Sequence, residues 1–349
     1  MFSLDALFNV SAIRKSRLTW IDFAKGAAII MVVFRHIVIG IERSEIPIHE
    51  AYRTIADITY SFRMPLFFIL SGFFLRSSLL KRTPGEFVQS KLRTLLYPYL
   101  IWTFIQITVQ IVFSNYINAD RTWRDYIAVF INPRSIDQFW FIYALFNLAL
   151  VYLALFHVTK GNKVALFVIG IVFYYINRFI DVHVIDDILE NFIYIVIGDL
   201  TSSFVLNKEN RSTILSYAWL LVFTALFIAT QYLYLNFEDL EPFVYAVIAL
   251  VGSVLTIILS FHLANVDWLL FVRVAGFHSL YIYLMHVLVS APIRIVLFKV
   301  FHVTNGGLIA IISTTLGCLV PMIFYNLCRR YNMTLLFYPP AKGGLKEEG

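Results

Sequence analysis

The sequence predicts an all-α, polytopic membrane protein of about ten transmembrane helices with both termini in the cytoplasm, and three observations lead there. The first is composition: 60% of the 349 residues are apolar, 17% aromatic and only 14% charged, with a mean hydropathy of +0.76. A water-soluble domain carries about 25% charged residues, so lipid-facing side chains dominate this chain. The second is the length of its apolar runs. A helix needs about 20 residues to cross the hydrocarbon layer, and such runs lie at roughly 21–41, 60–79, 94–114, 139–157, 164–178, 191–206, 213–235, 242–262, 271–293 and 306–328.

The third observation is that charge alternates between the connections. One set of loops holds Arg14, Lys15 and Arg17; Arg76, Lys81, Arg82, Lys91 and Arg93; Lys160 and Lys163; Lys208 and Arg211; and Arg329 and Arg330. The other holds Glu42, Glu45, Glu50 and Asp57; Asp181, Asp186, Asp187 and Glu190; and Glu238, Asp239 and Glu241. Short loops rich in Lys and Arg stay in the cytoplasm, which places the basic set inside. The last outer connection departs from the rule, since Arg294 and Lys299 stand there without acidic neighbours.

Ten spans leave no gap long enough for a soluble domain. Residues 1–349 therefore read as a single integral membrane domain: a cytoplasmic interfacial segment over 1–20, a ten-helix bundle over 21–328 and a cytoplasmic tail over 329–349. Residues 1–10 are too short and lack the basic lead of a signal peptide; Phe2, Leu7 and Phe8 suit them to the membrane surface. The net charge of +6 is largely this topological signal, so the expected partner is the lipid bilayer and not nucleic acid. Cys318 and Cys328 both fall in the last run, which excludes a disulfide framework. With no H-E-x-x-H, no Cys/His cluster and no acidic pair within a span, neither a bound metal nor a bound cofactor is expected. Nothing in the pattern fixes an oligomeric state.

On the first span, His36 lies eleven residues after Lys25. An ionisable group inside a span costs about 2.5–3.5 kcal/mol on insertion scales, so it needs a partner, a water-filled cavity or a catalytic role. Eleven residues at 100° each return to within about 20°, which sets Lys25 and His36 on one face about 16 Å apart. Asp22, three residues before Lys25, is placed to pair with it. The plainer reading is a structural ion pair with a hydrogen-bonded core histidine. Arg35 points about 100° from His36 and either snorkels or meets the second span.

The second span carries S-F-R-M-P-L-F-F-I-L-S-G from Ser61 to Gly72. Pro65 suits its first turn, Ser71 and Gly72 suit close helix packing, and Arg63 either snorkels to headgroups or contacts an acceptor. The stretch from Arg76 to Pro98 is basic and amphipathic. It rests on anionic lipid, or its Arg76, Lys91 and Arg93 receive a phosphate-bearing donor. Trp140 opens the fourth span as an aromatic-belt residue.

On the ninth span, G-F-H-S-L-Y-I-Y-L-M-H from Gly276 to His286 puts Ser279 and His286 on one face, with His278 offset. His286 should lie about 20 Å in from the cytoplasm, a depth like that of His36, which points to one shared cavity. His49, His157, His183, His262 and His302 fall in loops or at span ends, where solvated histidine is ordinary.

These stretches, in order along the whole chain, resemble the membrane acyltransferase-3 family, in particular the branch of fucose 4-O-acetylases and enterobacterial common antigen O-acetyltransferases. The resemblance rests on Asp22 with Lys25-Gly26 and His36; on F-R-M-P-L-F-F-I-L-S-G-F; on R-T-L-L-Y-P-Y around Pro98; on W-F-I-Y-A-L-F after Trp140; and on G-F-H-S-L-Y-I-Y-L-M-H. It implies transfer of an acyl group, usually acetyl from acetyl-CoA, to a sugar hydroxyl of a lipid-linked or surface glycan at a bacterial cytoplasmic membrane. His36 corresponds to the family's essential histidine and Lys25 to its usual arginine, although lysine lacks the two-pronged guanidinium. A second departure is that Leu145, Phe146 and Asn147 stand where O-antigen-type relatives carry adjacent glutamates.

Chemistry then assigns Lys25, Arg76, Lys91 and Arg93 to the acyl-CoA donor, and Arg63, Trp140, Ser279 and His286 to the acceptor side, with Asp22 as a structural partner. His36 acts either as general base or as a nucleophile that forms an acyl-imidazole. Transfer is expected to finish within the ten helices. A transporter or flippase using His36, Arg63 and His286 as a proton pathway is the other functional class; no inverted repeat supports it. A scaffold in a glycan-assembly complex accounts for the fewest of these features.

Overall fold

The computed structural model describes Phe8, Ile13 and residues 18–114, 121–266 and 268–340. Most of the expected interfacial segment, including Arg14, Lys15 and Arg17, and the tail past 340 lie outside the described residues. Within them the chain is helical, with no strand. Its helices are α1 (Thr19–Arg43), α2 (Glu50–Leu80), α3 (Pro84–Val112), α4 (Trp140–Val158), α5 (Lys163–Ile176), α6 (His183–Val205), α7 (Tyr217–Asn236), α8 (Pro242–Val266), α9 (Leu270–Phe277), α10 (Ser279–Val300) and α11 (Gly306–Arg330).

Among the described residues nine of these are long and apolar enough to cross a membrane: α1 to α4, α6 to α8, α10 and α11. The fifth expected span is the shortfall. At 14 residues, α5 is about 21 Å long, less than the roughly 30 Å of hydrocarbon. It still runs antiparallel to α6. Lys163 Nζ donates to the Asp199 carbonyl at 2.7 Å at one end, while Tyr174 Oη donates to the Pro242 carbonyl at 2.8 Å at the other. The chain therefore changes ends here, as the alternation of loop charges requires.

Two other boundaries differ from the hydropathy reading. α2 begins at Glu50, ten residues early, so Pro65 is internal to a 31-residue helix instead of in its first turn. The early turns look like loop because they are charged, but the charges are paired sideways: Arg53 Nε to Glu42 at 2.6 Å and Arg35 Nη1 to Asp57 at 2.7 Å. The ninth run is two helices. His278 breaks it, its Nδ1 2.9 Å from the Val274 carbonyl and its Nε2 3.0 Å from Asn326 Nδ2 on α11. The basic stretch after α2 is likewise no separate surface helix. Thr83 and Glu86 form a capping box that starts α3, which passes through a π-helical turn at Leu92–Leu96 and continues into the span.

α1 is central, packed against α2, α8, α9, α10 and α11. Small residues set the closest crossings, as is usual where no solvent drives helices together. A Cβ on Gly276 of α9 would stand 1.6 Å from the Asp22 carbonyl oxygen, and one on Gly72 of α2 would stand 2.2 Å from that of Ile195 on α6. Gly72 is thus a packing residue. Phe23, Ile29, Val33, Leu66, Phe68 and Phe192 are fully buried between these helices. The peripheral α7 buries little of its length against the bundle.

Candidate active site

His36 is half-buried on α1, and its ring centroid lies 5.2 Å from that of His286 on α10. The two histidines that the sequence placed at similar depths do meet. His286 is 0% exposed, and its Nδ1 lies 2.9 Å from the Tyr283 carbonyl and 3.1 Å from that of Ile282. Carbonyl oxygens only accept, so in the neutral ring the proton sits on Nδ1 and the lone pair on Nε2. That Nε2 is buried with no hydrogen-bond partner among the described residues.

More unsatisfied groups surround the pair. Arg63 is 5% exposed and lies within electrostatic range of His36 and Tyr283; its Nε and Nη1 are buried without partners among the described residues, as is Tyr283 Oη. The Arg63 guanidinium faces the Tyr60 ring at 4.8 Å, and Arg35 faces the same ring at 4.0 Å. Nearly all buried polar groups in a folded protein are hydrogen-bonded. A cluster of exceptions around one imidazole is what a site waiting for substrate looks like.

His36 opens onto a cavity of about 350 Å³ that is also lined by Gly40, Arg43, Gln110, Arg134, Ser290 and Arg294. Along α1, His36, Gly40 and Arg43 are spaced i, i+4, i+7, which places them on one face. Arg134, just before α4, is held by Asp187 at 2.6 Å and Glu190 at 3.0 Å and lies 4.6 Å over the Trp140 ring. Burial works against its charge, but the two carboxylates raise its pKa above the ordinary arginine value. Trp140 is thereby tied to the cavity wall, and the neighbouring Phe141 packs on Tyr283 at 5.6 Å.

The remaining sequence-derived residues lie apart. Lys25, half-buried, is eleven residues back along the unbroken α1, about 16 Å from His36, with the buried Asp22 one turn earlier. Ser279 starts α10, so about 10 Å of helix separates it from His286; the shared face does not bring it to the histidines. Arg76 is engaged elsewhere, its Nε donating to both Asp199 oxygens at 2.9 and 3.0 Å and its Nη2 to the Gly161 carbonyl at 2.8 Å. Lys91 lies over the Phe87 ring at 5.2 Å. Arg93 reaches the Pro339 and Pro340 carbonyls at 3.5 Å, on a C-terminal strap that also accepts from Trp102 Nε1 through the Leu336 carbonyl at 2.9 Å.

Sequence reasoning passed over Asp199, Tyr283 and the place of Arg294. Asp199 carried the same signal as His36, an ionisable residue inside an apolar run. A cluster of Asp181, His183 and Asp186, with ligand atoms within 4.8 Å of one another, lies at the surface before and within the first turn of α6. Asp186 there accepts the Val182 N–H at 3.2 Å, the ordinary work of an acid at a helix start.

A family model described as an acyltransferase domain matches residues 18–326 of this chain. No curated protein and no solved structure matches it.

Proposed function

The chain belongs to that acyltransferase family, and from this premise we propose that it is an O-acyltransferase of a bacterial cytoplasmic membrane, in the branch of fucose 4-O-acetylases and enterobacterial common antigen O-acetyltransferases. It takes an acyl group, acetyl in the simplest case, from acyl-CoA on the cytoplasmic side and places it on a hydroxyl of a lipid-linked or cell-surface glycan. The observation that carries this reading is the 5.2 Å His36–His286 pair beside unpartnered Arg63 and Tyr283.

In the transfer, the acceptor oxygen attacks the thioester carbonyl as His36 takes the hydroxyl proton. The tetrahedral intermediate carries an oxyanion, for which Arg63 and Tyr283 supply donors that need no reorganisation. Collapse breaks the C–S bond, and the thiolate leaves with the proton held by His36. An alcohol and an acyl thioester become an ester and free CoA. A route through an acyl-imidazole on His36 balances equally. His286 Nε2 can accept a proton from His36, fixing its tautomer, while Lys25 lies towards the donor's charged end.

The test is sidedness. Protein reconstituted in liposomes with a single orientation should release thiol from acetyl-CoA supplied at the Lys208 face and not from acetyl-CoA supplied at the Glu238 face. Thiol release from neither face, with the fold intact, would refute the reading.

A further inference from the structure

Arg294 is the cation that the charge alternation leaves unexplained, and the fold carries it into the cavity beside His36. Its guanidinium crosses from α10 onto α1 at Gly40: a Cβ at position 40 would stand 1.7 Å from Arg294 Nη1. Only a glycine leaves that space. Gly40 is one helical turn beyond His36, so the Arg294 head sits about 5–6 Å along α1 from the imidazole. Its Nε is buried with no hydrogen-bond partner among the described residues. Arg43, on the same face of α1, and Arg134 line the same space. No acidic side chain lines it; Asp187 and Glu190 hold Arg134 from outside the lining. A cavity walled by three arginines with no facing acid holds a positive potential focused by its low-dielectric walls.

We infer that this cavity binds an anionic group, phosphate or carboxylate, carried by the acceptor, with Arg294 as its principal ligand and Arg43 beside it. The inference rests on the acyltransferase reading for what the bound molecule then does, and it narrows the acceptor to an acidic saccharide. A planar guanidinium suits either oxyanion through paired N–H donors. Holding the charge one turn from His36 fixes which hydroxyl reaches the imidazole, so Arg294 acts as a specificity-determining residue.

Binding to purified protein in neutral phosphatidylcholine nanodiscs, without acyl-CoA, tests this using methyl glucuronide, glucose 1-phosphate and the uncharged methyl glucoside. At least one charged sugar should bind ten times or more tighter than the neutral one, and added salt should weaken it. Arg294→Gln should abolish that preference. So should Gly40→Ala, which displaces the guanidinium while keeping its charge. Both variants should keep the wild-type unfolding midpoint, which separates loss of the site from loss of fold. Equal binding of charged and neutral sugars by wild-type protein overturns the inference, as does a charge preference that survives both substitutions. A third contrary result is a preference seen only when phosphatidylglycerol replaces the neutral lipid, which would make the cation a headgroup anchor. Because no donor is present, failure of acyl transfer leaves this result standing. Thiol release without any charge preference would remove this inference alone.

Discussion

Two buried clusters, one around Asp199 and one around His36, are alike in sequence and opposite in structure. Each is an ionisable residue set in an apolar helix. At Asp199 the fold supplies the partners: Arg76 Nε at 2.9 and 3.0 Å, Tyr152 Oη at 2.8 Å and Lys163 Nζ at 3.5 Å. At His36 it withholds them, leaving Nε2 of His286, two guanidinium nitrogens of Arg63 and the Tyr283 hydroxyl without hydrogen bonds among the described residues. A satisfied network ties α2, α4, α5 and α6 together. An unsatisfied one costs stability that only substrate contact offsets, so it marks where chemistry is done.

The comparison can be broken most forcefully at Asp199. Replacing it with Ala leaves Arg76 and Lys163 without their counter-charge, and the expected loss is about 3 kcal/mol, the low end for a broken buried pair because both cations keep some solvent. Thermal unfolding in detergent should show a clearly lowered midpoint, and an unchanged midpoint would mean that the cluster does not hold these helices. At the other cluster, His286→Ala should leave the midpoint nearly unmoved but raise the barrier to transfer by about 1.4 kcal/mol or more, a tenfold fall in kcat. A variant that kept kcat while unfolding early would put His286 with the structural group. Tyr152→Phe removes one hydrogen bond to Asp199 and should cost about 1 kcal/mol, read from the same melting curves. Arg93→Ala, which loses only two 3.5 Å contacts to the C-terminal strap, should shift stability by less than about 0.5 kcal/mol. A large rise in its apparent KM for acetyl-CoA would restore Arg93 to the donor site.

Much of this architecture was legible because one physical constraint governs it: a run that spans lipid must be apolar and helical. That rule located nine spans and the shared depth of His36 and His286. It misled where charge was satisfied locally. The first turns of α2 look like a loop until Arg53 finds Glu42 and Arg35 finds Asp57 on α1. The break at His278 was hidden because its neighbours remain apolar on both sides. Partnering is a tertiary property, so helix periodicity could place Ser279 on the His286 face but could not show that the seven residues between them keep them apart. For the same reason Arg76 read as a free cation, when Asp199 more than a hundred positions later already claims it.

The central claim is that the unsatisfied cluster transfers acyl groups through His36. The measurement that bears on it most directly is single-turnover acyl transfer from acetyl-CoA by purified His36→Ala against wild type, each checked for an unchanged melting midpoint. The account predicts a fall of at least about 100-fold, the scale of a lost general base or nucleophile. Transfer by His36→Ala within a few-fold of wild type would contradict it.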